Sequence, residues 1–205
     1  DLSFLDCTAT DSRGIRITNT TTVSIVSSVF AFVQPYSREA NVVLSHATPA
    51  TITVFISNCT FSSQYYSGST AACIWVTNGD VQVNGTVTVA NCTGYLGGAV
   101  RLTRSTVTVV GEATVNFVNN FAQFGSAVYL EGGTCPLLDT SNGVLNVRVI
   151  NSKHSCVFID NPSSVSTCLS LVAFLDFFGN ESNCSPSTSA TSLFVLLDTP
   201  ASRII

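Results

Sequence analysis

The sequence predicts an all-β protein that folds as a single-stranded parallel β-helix, in which short strands coil around one axis and stack as a solenoid. Three observations indicate this fold: a short strand-like motif recurs along the chain, further alternating segments follow each recurrence, and segments typical of helices are missing. We expect about six to seven coils, with about three short strands per coil. Residues 1–205 are expected to form a single β-helix domain.

The recurring motif is a small residue followed by an apolar, a variable, an apolar and a polar residue. It is clearest in "AVRLT", at residues 99–103, and in "AVYLE", at residues 127–131. The first apolar residues of the seven copies, separated by 27, 32, 26, 28, 29 and 38 residues, are Ile15, Val42, Ile74, Val100, Val128, Val157 and Val195. A period of this length is typical of solenoids, whose repeats bury their apolar faces only against their neighbours.

Each repeat also contains further pairs of alternating apolar residues. After Val100, for example, the pairs are Val107 with Val109 and Val115 with Phe117. Alternation with period two predicts short, half-buried strands. A β-sandwich also has short strands, with turns about every 8–12 residues, but it does not require equivalent residues at a fixed three-strand period. The parallel β-helix is therefore favoured.

The composition excludes several classes of protein. The chain is 45% hydrophobic and 10% charged, with a mean hydropathy of +0.40. No apolar run reaches the roughly 18 residues that a membrane-spanning helix needs, so we expect no membrane span. The net charge is −4 and the arginines are scattered, which argues against a nucleic-acid-binding surface. We expect no cofactor.

Cysteines and glycosylation motifs together indicate the secretory pathway. None of the eight cysteines forms a CxxC pair, which favours disulfides in an oxidising compartment over zinc sites. The expected disulfide residues are Cys7, Cys59, Cys73, Cys92, Cys135, Cys156, Cys168 and Cys184. N-linked glycans are expected at Asn19, Asn58, Asn84, Asn91, Asn180 and Asn183. The predicted location is extracellular, either secreted or at the cell surface.

The pairing of the cysteines is open at this stage. Cys59 and Cys92 each follow a sequon asparagine and are expected at equivalent positions of adjacent coils. If these cysteines point inward, Asn58 and Asn91 point outward, because side chains alternate along a strand. Cys59 could instead pair with Cys73 and close the loop between them. Eight cysteines allow 105 full pairings, so the sequence does not decide.

One repeat carries a more detailed pattern. The segment "FVNNFAQFGSAV", at residues 117–128, has Phe117, Asn120, Gly125 and Ala127 in the order F-x-x-N and then G-x-A. Residues 89–100, "VANCTGYLGGAV", and residues 4–15, "FLDCTATDSRGI", align with it without gaps. This pattern resembles the repeat of the chlamydial polymorphic outer membrane proteins and of similar pectin-lyase-like surface proteins. The resemblance implies a right-handed β-helix used in adhesion or as a passive stalk, without catalytic residues.

The residue types of the pattern have structural roles. We expect Phe117 to fill the interior and Asn120 to lie in a turn, where Asn tolerates the left-handed conformation and bonds local backbone. Gly97, Gly98 and Gly125 allow a sharp corner before the next strand. At or near the column of Asn120, the other repeats have Cys7, Cys59 and Cys92.

The variable residue of each motif is predicted to face outward, since it lies between two inward positions. Down the stack these residues form a ladder of Arg16, Val43, Trp75, Arg101, Tyr129, Phe158 and Leu196. We expect Arg101 to lie between the rings of Trp75 and Tyr129 as a cation–π pair. Three interpretations are open: cover by a loop or glycan, an interface with another subunit, or a carbohydrate-binding platform. The expected binding or interface residues are Trp75, Arg101, Tyr129 and Phe158.

An enzyme is a further alternative. The polar ends of two successive motifs, Glu131 and Asp160, are expected one coil apart, and Lys153 and His154 precede Asp160 closely in sequence. Carboxylates about 5 Å apart could serve a retaining glycosidase or contribute to a Ca²⁺ site. Two solvated strand-end acids are the favoured explanation, so we expect no catalytic residue and no metal site.

Open strand edges at the ends of the stack predict self-association. The first segment begins in mid-coil, and "LFVLLDTPASRII" is expected to begin a further coil. Backbone groups at such edges pair with another chain, and a head-to-tail contact propagates into a filament. The predicted function is therefore a structural subunit of an extracellular filament or appendage. The alternative is a surface adhesin or carbohydrate-binding stalk.

Overall fold

The computed structural model describes residues 2–12, 14–32, 41–47, 51–63, 73–131, 138–150, 157–160, 193–196 and 203–204. These residues form eighteen β-strands and no helix. In chain order the strands are β1 (Leu2–Leu5), β2 (Thr8–Ser12), β3 (Ile15–Thr18), β4 (Thr22–Val26), β5 (Val29–Phe32), β6 (Val42–Ser45), β7 (Ile52–Ser63), β8 (Ile74–Thr77), β9 (Gly79–Ala90), β10 (Thr93–Leu96), β11 (Val100–Thr103), β12 (Thr106–Val118), β13 (Phe121–Phe124), β14 (Val128–Glu131), β15 (Leu138–Ile150), β16 (Val157–Asp160), β17 (Leu193–Leu196) and β18 (Arg203–Ile204).

The strands form three sheets that the chain visits in turn. Sheet A has the order β1-β4-β7-β9-β12-β15, with β2 and β5 joined to it. Sheet B has the order β3-β6-β8-β11-β14-β16-β17-β18, and sheet C pairs β10 with β13. All pairs are parallel except those that involve β17. The prediction of an all-β parallel solenoid is confirmed, and the strands account for about four turns of it.

Sheet B tests the repeat directly, because its strands hold the recurring motif. The first apolar residues of six motifs are aligned strand by strand, from Ile15 through Val100 to Val157. The prediction for the seventh copy of the motif is wrong. Val195 pairs with Val157 in an antiparallel ladder, so β17 does not begin a further parallel coil. Alternating apolar residues define the face of a strand but not its direction, and this motif follows the longest interval, 38 residues.

Sheet A joins segments that the sequence had separated. Val81, Val83, Val87 and Val89 all lie on β9, one strand of 12 residues, rather than on two short strands. The strand bends at Gly85, whose φ of 60° lies in the left-handed region. The bend preserves backbone pairing on both sides of the corner, so two apolar pairs belong to one strand.

The register confirms one alignment of the detailed pattern and overturns another. Val89 pairs with Phe117, as the gapless alignment of residues 89–100 with residues 117–128 predicts. Phe4 instead pairs with Ile25, and that column continues to Ile56 and Val83. The alignment of residues 4–15 with residues 89–100 is therefore wrong at its start, because Phe4 lies before the bend of sheet A and Val89 lies after it. It is right at its end, where Ile15 and Val100 share one column of sheet B.

The corners between strands contain the predicted residue types, except that Asn119 rather than Asn120 is the turn asparagine. Gly97 and Gly125 have φ values of 76° and 65°, and each precedes a strand of sheet B as expected. The left-handed asparagine is Asn119, with φ of 53°, and not Asn120. Asn120 is buried and bonds the backbone of the preceding coil. The sequence pattern had identified Asn120 as the turn residue because it could not distinguish the two consecutive asparagines.

The core lies between the sheets and is filled by the inward residues of each strand. At the first coils the aromatic rings of Phe30 and Phe61 stack with their centroids 5.6 Å apart, and Phe32 stacks on Phe30 at 6.2 Å. Offset stacking of this kind adds to the apolar burial that drives folding. Phe117 is also buried, as predicted.

Candidate functional site

The most organised group of polar and aromatic side chains lies on sheet B. Trp75, Arg101 and Tyr129 occupy consecutive strands in direct register. The guanidinium carbon Cζ of Arg101 lies 4.5 Å from the ring centroid of Trp75 and 5.6 Å from that of Tyr129. Both distances fall within the roughly 6 Å at which an aromatic ring attracts a cation. The structure thus has the predicted cation–π arrangement, which we call the arginine cluster.

Two further residues complete the arginine cluster. Nη2 of Arg101 donates to Oε2 of Glu131 at 2.6 Å, and the two groups form an ion pair. Oγ1 of Thr103 also donates to Oε2 of Glu131, at 3.2 Å, and accepts from Nε1 of Trp75 at 3.1 Å. Sequence reasoning missed the pairing of Arg101 with Glu131. The signal was present, because the two residues lie two positions apart on neighbouring strands of one ladder.

The arginine cluster is not an exposed surface. The side chain of Tyr129 is 3% exposed and that of Arg101 is 12% exposed, and Val43 of the same ladder is also buried. The prediction of a solvent-facing ladder is wrong at these positions, although Arg16 at the first strand is exposed. The outward-facing residues of a strand are therefore not always exposed to solvent. Of the three interpretations, burial within the chain favours cover.

The remaining members of the ladder at its far end are Phe158 and Leu196. β16 places Phe158 in register with Tyr129, but the side chain of Phe158 lies outside the described part of the structure. Leu196 lies on the antiparallel strand β17, so it does not continue the parallel ladder. Among the described side chains, the platform predicted from the sequence therefore consists only of the arginine cluster.

The structure gives no support to catalytic carboxylates. Glu131 and Asp160 are adjacent in register, as predicted. The Glu131 carboxylate forms an ion pair with Arg101 and accepts a hydrogen bond from Thr103, so it is not a free base. Lys153 and His154 lie outside the described residues. Within the described part of the chain, no group of three or more His, Cys, Asp or Glu residues is placed to hold a metal ion.

The structure pairs two cysteines in a way that the sequence left open. Cys73 and Cys92 form a disulfide with their Cα atoms 5.6 Å apart, within the usual range for such a bridge. Cys73 precedes β8 and Cys92 precedes β10. The bond therefore joins two corners of the same coil, and the two cysteines are 19 residues apart in sequence. Neither alternative weighed for Cys59 is formed.

Cys59 and Cys7 are free thiols, which corrects their assignment as disulfide residues. Cys59 pairs in register with Val87, so Cys59 and Cys92 are not at equivalent positions. The sequons suggested the alignment, but Cys59 follows the bend of sheet A whereas Cys92 follows the next corner. Burial raises the pKa of the Cys59 thiol, although its contacts with backbone groups of Ser28 and Ser57 oppose the shift. Cys135, Cys156, Cys168 and Cys184 lie outside the described residues.

The alternation predicted around two sequons is confirmed. Asn58 and Asn91 are exposed, while Cys59 and Cys92 beside them are buried. Oδ1 of Asn58 accepts the backbone N–H of Thr86 at 3.0 Å. Oδ1 of Asn91 accepts Nδ2 of Asn119 at 3.3 Å. In both asparagines a hydrogen bond fixes Oδ1, which leaves Nδ2, the atom that N-linked glycosylation modifies.

The other sequons differ in accessibility. Asn19 is exposed at a turn with φ of 57°, and Asn84 is half-buried beside the bend of β9. Asn180 and Asn183 lie outside the described residues. Three sequons, at Asn19, Asn58 and Asn91, therefore present their side chains to solvent.

The function of this chain has to be inferred from its own sequence and structure. No protein-family model, curated protein or solved structure matches this chain. Among the described residues, no helix is long and apolar enough to cross a membrane. Among the described residues, the structure thus defines a parallel β-solenoid with one disulfide and an arginine cluster in which Tyr129 is buried and the other members are half-buried.

Proposed function

We propose that the chain is a secreted, N-glycosylated, disulfide-stabilised structural protein that stacks end to end into an extracellular filament or cell-surface appendage. In this proposal the fold is a right-handed β-helix of about six coils with about three strands per coil, as in other solenoids. Its repeat is similar to that of the chlamydial polymorphic outer membrane proteins. The role is mechanical rather than catalytic.

The stacking of parallel strands along one axis is the observation that carries this proposal, because each layer of a solenoid buries its apolar face only against a neighbouring layer. Leu2, Phe4 and Ile15 are inward residues of the first coil, where Leu2 is 39% exposed and the other two are half-buried. Their partners one coil further, Val23 and Ile25 among them, are fully buried. The apolar layer of the first coil is therefore less buried than the layer that follows it.

The outer edge of β1 accompanies this apolar layer. Within the described part of the chain, β1 pairs with β4 alone. An edge of this kind is a template for another strand, and apolar side chains above the core favour the same contact. A further β-solenoid layer satisfies both at once, and a second copy of this chain supplies such a layer.

Glycans and the disulfide are compatible with axial stacking. Asn58 and Asn91 point away from the core, so glycans there occupy the sides of the solenoid, whereas the exposed Asn19 lies in the first coil. The bond between Cys73 and Cys92 stabilises one coil in an oxidising compartment. These features support a secreted structural subunit.

The alternative, an adhesin that binds carbohydrate through Trp75, Arg101 and Tyr129, is less well supported. A sugar needs an accessible aromatic face, and Tyr129 is buried while Arg101 already binds Glu131. The same residues instead give the ladder of sheet B an internal ionic and aromatic contact.

Electron microscopy and sedimentation velocity of the glycosylated protein, secreted from eukaryotic cells, test the proposal. We expect filaments or head-to-tail oligomers that grow with concentration. Leu2→Lys places a charge in the apolar layer and should abolish assembly. Leu5→Lys is the matched control, since Leu5 lies on the same strand but its side chain is 61% exposed on the other face.

The circular dichroism spectrum must be unchanged in both variants for the comparison to count, and Leu2→Ser is the milder replacement if Leu2→Lys does not fold. Discrete monomers of the parent protein at high concentration would contradict filament formation. Assembly that survives both Leu2 substitutions would show that the first coil is not the contact.

A further inference from the structure

The interior of the solenoid contains an apolar cavity of about 90 Å³. The described side chains that line it are all Val, Ile, Leu or Phe. Two ladders run along it, one formed by Ile74, Val100 and Val128 and the other by Val87, Val115 and Val147. Each ladder covers two interstrand steps, so the cavity extends for roughly 10 Å along the axis.

The sequence shows that the core begins to lose side-chain volume at β9, one coil before β11 and β12. Phe61 of one coil is followed in its column by Val89, and Ile56 is followed by Val83. β7 and β9 each have 12 residues, so the smaller side chains enclose a similar space. Protein cores are packed nearly without voids, and a loss of side-chain volume without a shorter perimeter leaves a cavity.

The exposure pattern locates the cavity on one coil. Val100, Val107 and Val115 point inward but are only half-buried. The ladder neighbours of Val100 and Val115, such as Ile74 and Val128, are buried on both sides. The three valines therefore border open space at the level of β11 and β12, between well-packed layers.

We propose that this cavity is a binding site for one short, uncharged hydrocarbon chain lying along the solenoid axis. An apolar cavity offers water no hydrogen-bond partners, and an engineered apolar cavity of roughly 150 Å³ in another protein stays dry and binds benzene or xenon. The elongated lining favours a linear chain over a ring. A charged group is excluded, because burial of an unpaired charge is strongly unfavourable.

n-Pentane is the probe for this site. In the full-length protein with labelled valine methyl groups, we expect the NMR signals of Val100, Val107 and Val115 to shift and saturate as pentane is added. Cyclohexane, which is wider, should bind at least tenfold more weakly. A lack of saturable shifts would overturn the proposal, and equal binding of cyclohexane would overturn the linear shape of the site.

Cavity-filling variants supply the second arm of the test. Val115→Leu should raise the melting temperature and weaken pentane binding at least tenfold, because the added methylene occupies the cavity. Val54→Leu makes the same change at a fully buried position outside the cavity lining. It should lower the melting temperature by overpacking and leave pentane binding intact.

Val107→Leu is the second filling variant, in case Val115→Leu does not fold. Unchanged pentane affinity in a folded filling variant would show that the ligand binds elsewhere. Failure of both variants to fold would show that the space is too small for a methylene, and this result would also overturn the proposal. None of these measurements depends on filament formation.

Discussion

Asn120 and Cys92 are joined by a buried hydrogen bond, in which Oδ1 of Asn120 accepts the backbone N–H of Cys92 at 3.0 Å. Nδ2 of the same side chain donates to the carbonyl oxygen of Val89 at 2.9 Å. One side chain thus satisfies two backbone groups at the corner of the preceding coil. Asn120 is a connector between coils, and its residue type follows from the donor and acceptor that it must supply together.

Replacing Asn120 tests this role. Asn120→Ala should lower the free energy of unfolding by about 2 kcal/mol or more, because two buried backbone groups lose their partner. Urea denaturation gives the value. Asn116→Ala is the control, since Asn116 is only half-buried and makes a single 3.3 Å bond to Thr88. Equal losses for the two variants would contradict the assigned role.

The corner glycines allow a matched comparison. Gly125 and Gly111 have φ values of 65° and 70°, so alanine suffers similar backbone strain at both. A Cβ at Gly125 would collide with the carbonyl of Val128, whereas a Cβ at Gly111 meets only Nδ2 of Asn84, at 3.6 Å. Gly125→Ala should therefore destabilise by about 1–3 kcal/mol more than Gly111→Ala in thermal unfolding. Similar stabilities of the two variants would exclude the close contact.

The cation–π contact predicts coupling between Arg101 and Trp75. In a double-mutant cycle with Arg101→Met and Trp75→Leu, we expect a coupling free energy of about 0.5–2 kcal/mol in favour of the native pair. Arg148→Met is the control for loss of a charge, since Arg148 is exposed, and it should change stability by less than about 0.5 kcal/mol. Additive effects in the cycle would mean that the two side chains do not interact energetically.

The buried thiol of Cys59 predicts a decline of stability at alkaline pH. Its pKa is raised above 9.0 by burial, so the unfolded chain loses the thiol proton first as pH rises. The contribution is complete below pH 9 and decreases as the pH rises from there through the folded-state pKa. Cys59→Ala should remove this part of the decline, as urea denaturation between pH 8 and pH 11 will show.

Alkylation provides an independent measurement on the same residue. Iodoacetamide should modify half-buried Cys7 of the native protein faster than buried Cys59, because the thiolate is the reactive form and Cys59 is shielded. Both should react at similar rates in denaturant. Faster modification of Cys59 in the native protein would contradict its burial.

Periodicity in the sequence was sufficient to predict the solenoid and the register of sheet B. Inward pairs such as Val100 and Leu102 alternate strictly, and a slip by one residue would turn them outward. Direction is not encoded in this way, so Val195 was assigned to a parallel coil although β17 is antiparallel. The bend at Gly85 escaped prediction because a left-handed residue inside a strand leaves the alternation on both sides intact.

The candidate site was predictable in its contacts and not in its exposure. The cation–π pair follows from register alone, since Trp75 and Arg101 are neighbours on adjacent strands. The burial of Tyr129 depends on which parts of the chain cover sheet B, and local alternation carries no such information. The cysteine pairing also needed three-dimensional structure, because Cys73 and Cys92 meet across a coil rather than along a column.

The reversal of β17 makes the two tips of sheet B chemically unlike. At β3 the outermost pairing is parallel, with evenly spaced, slanted hydrogen bonds, whereas β17 and β18 pair in the antiparallel pattern of alternating close and wide pairs. In the head-to-tail filament that we propose, every subunit is oriented the same way, so the filament has a direction. Its two tips should then elongate at unequal rates, as the ends of other polar fibres do.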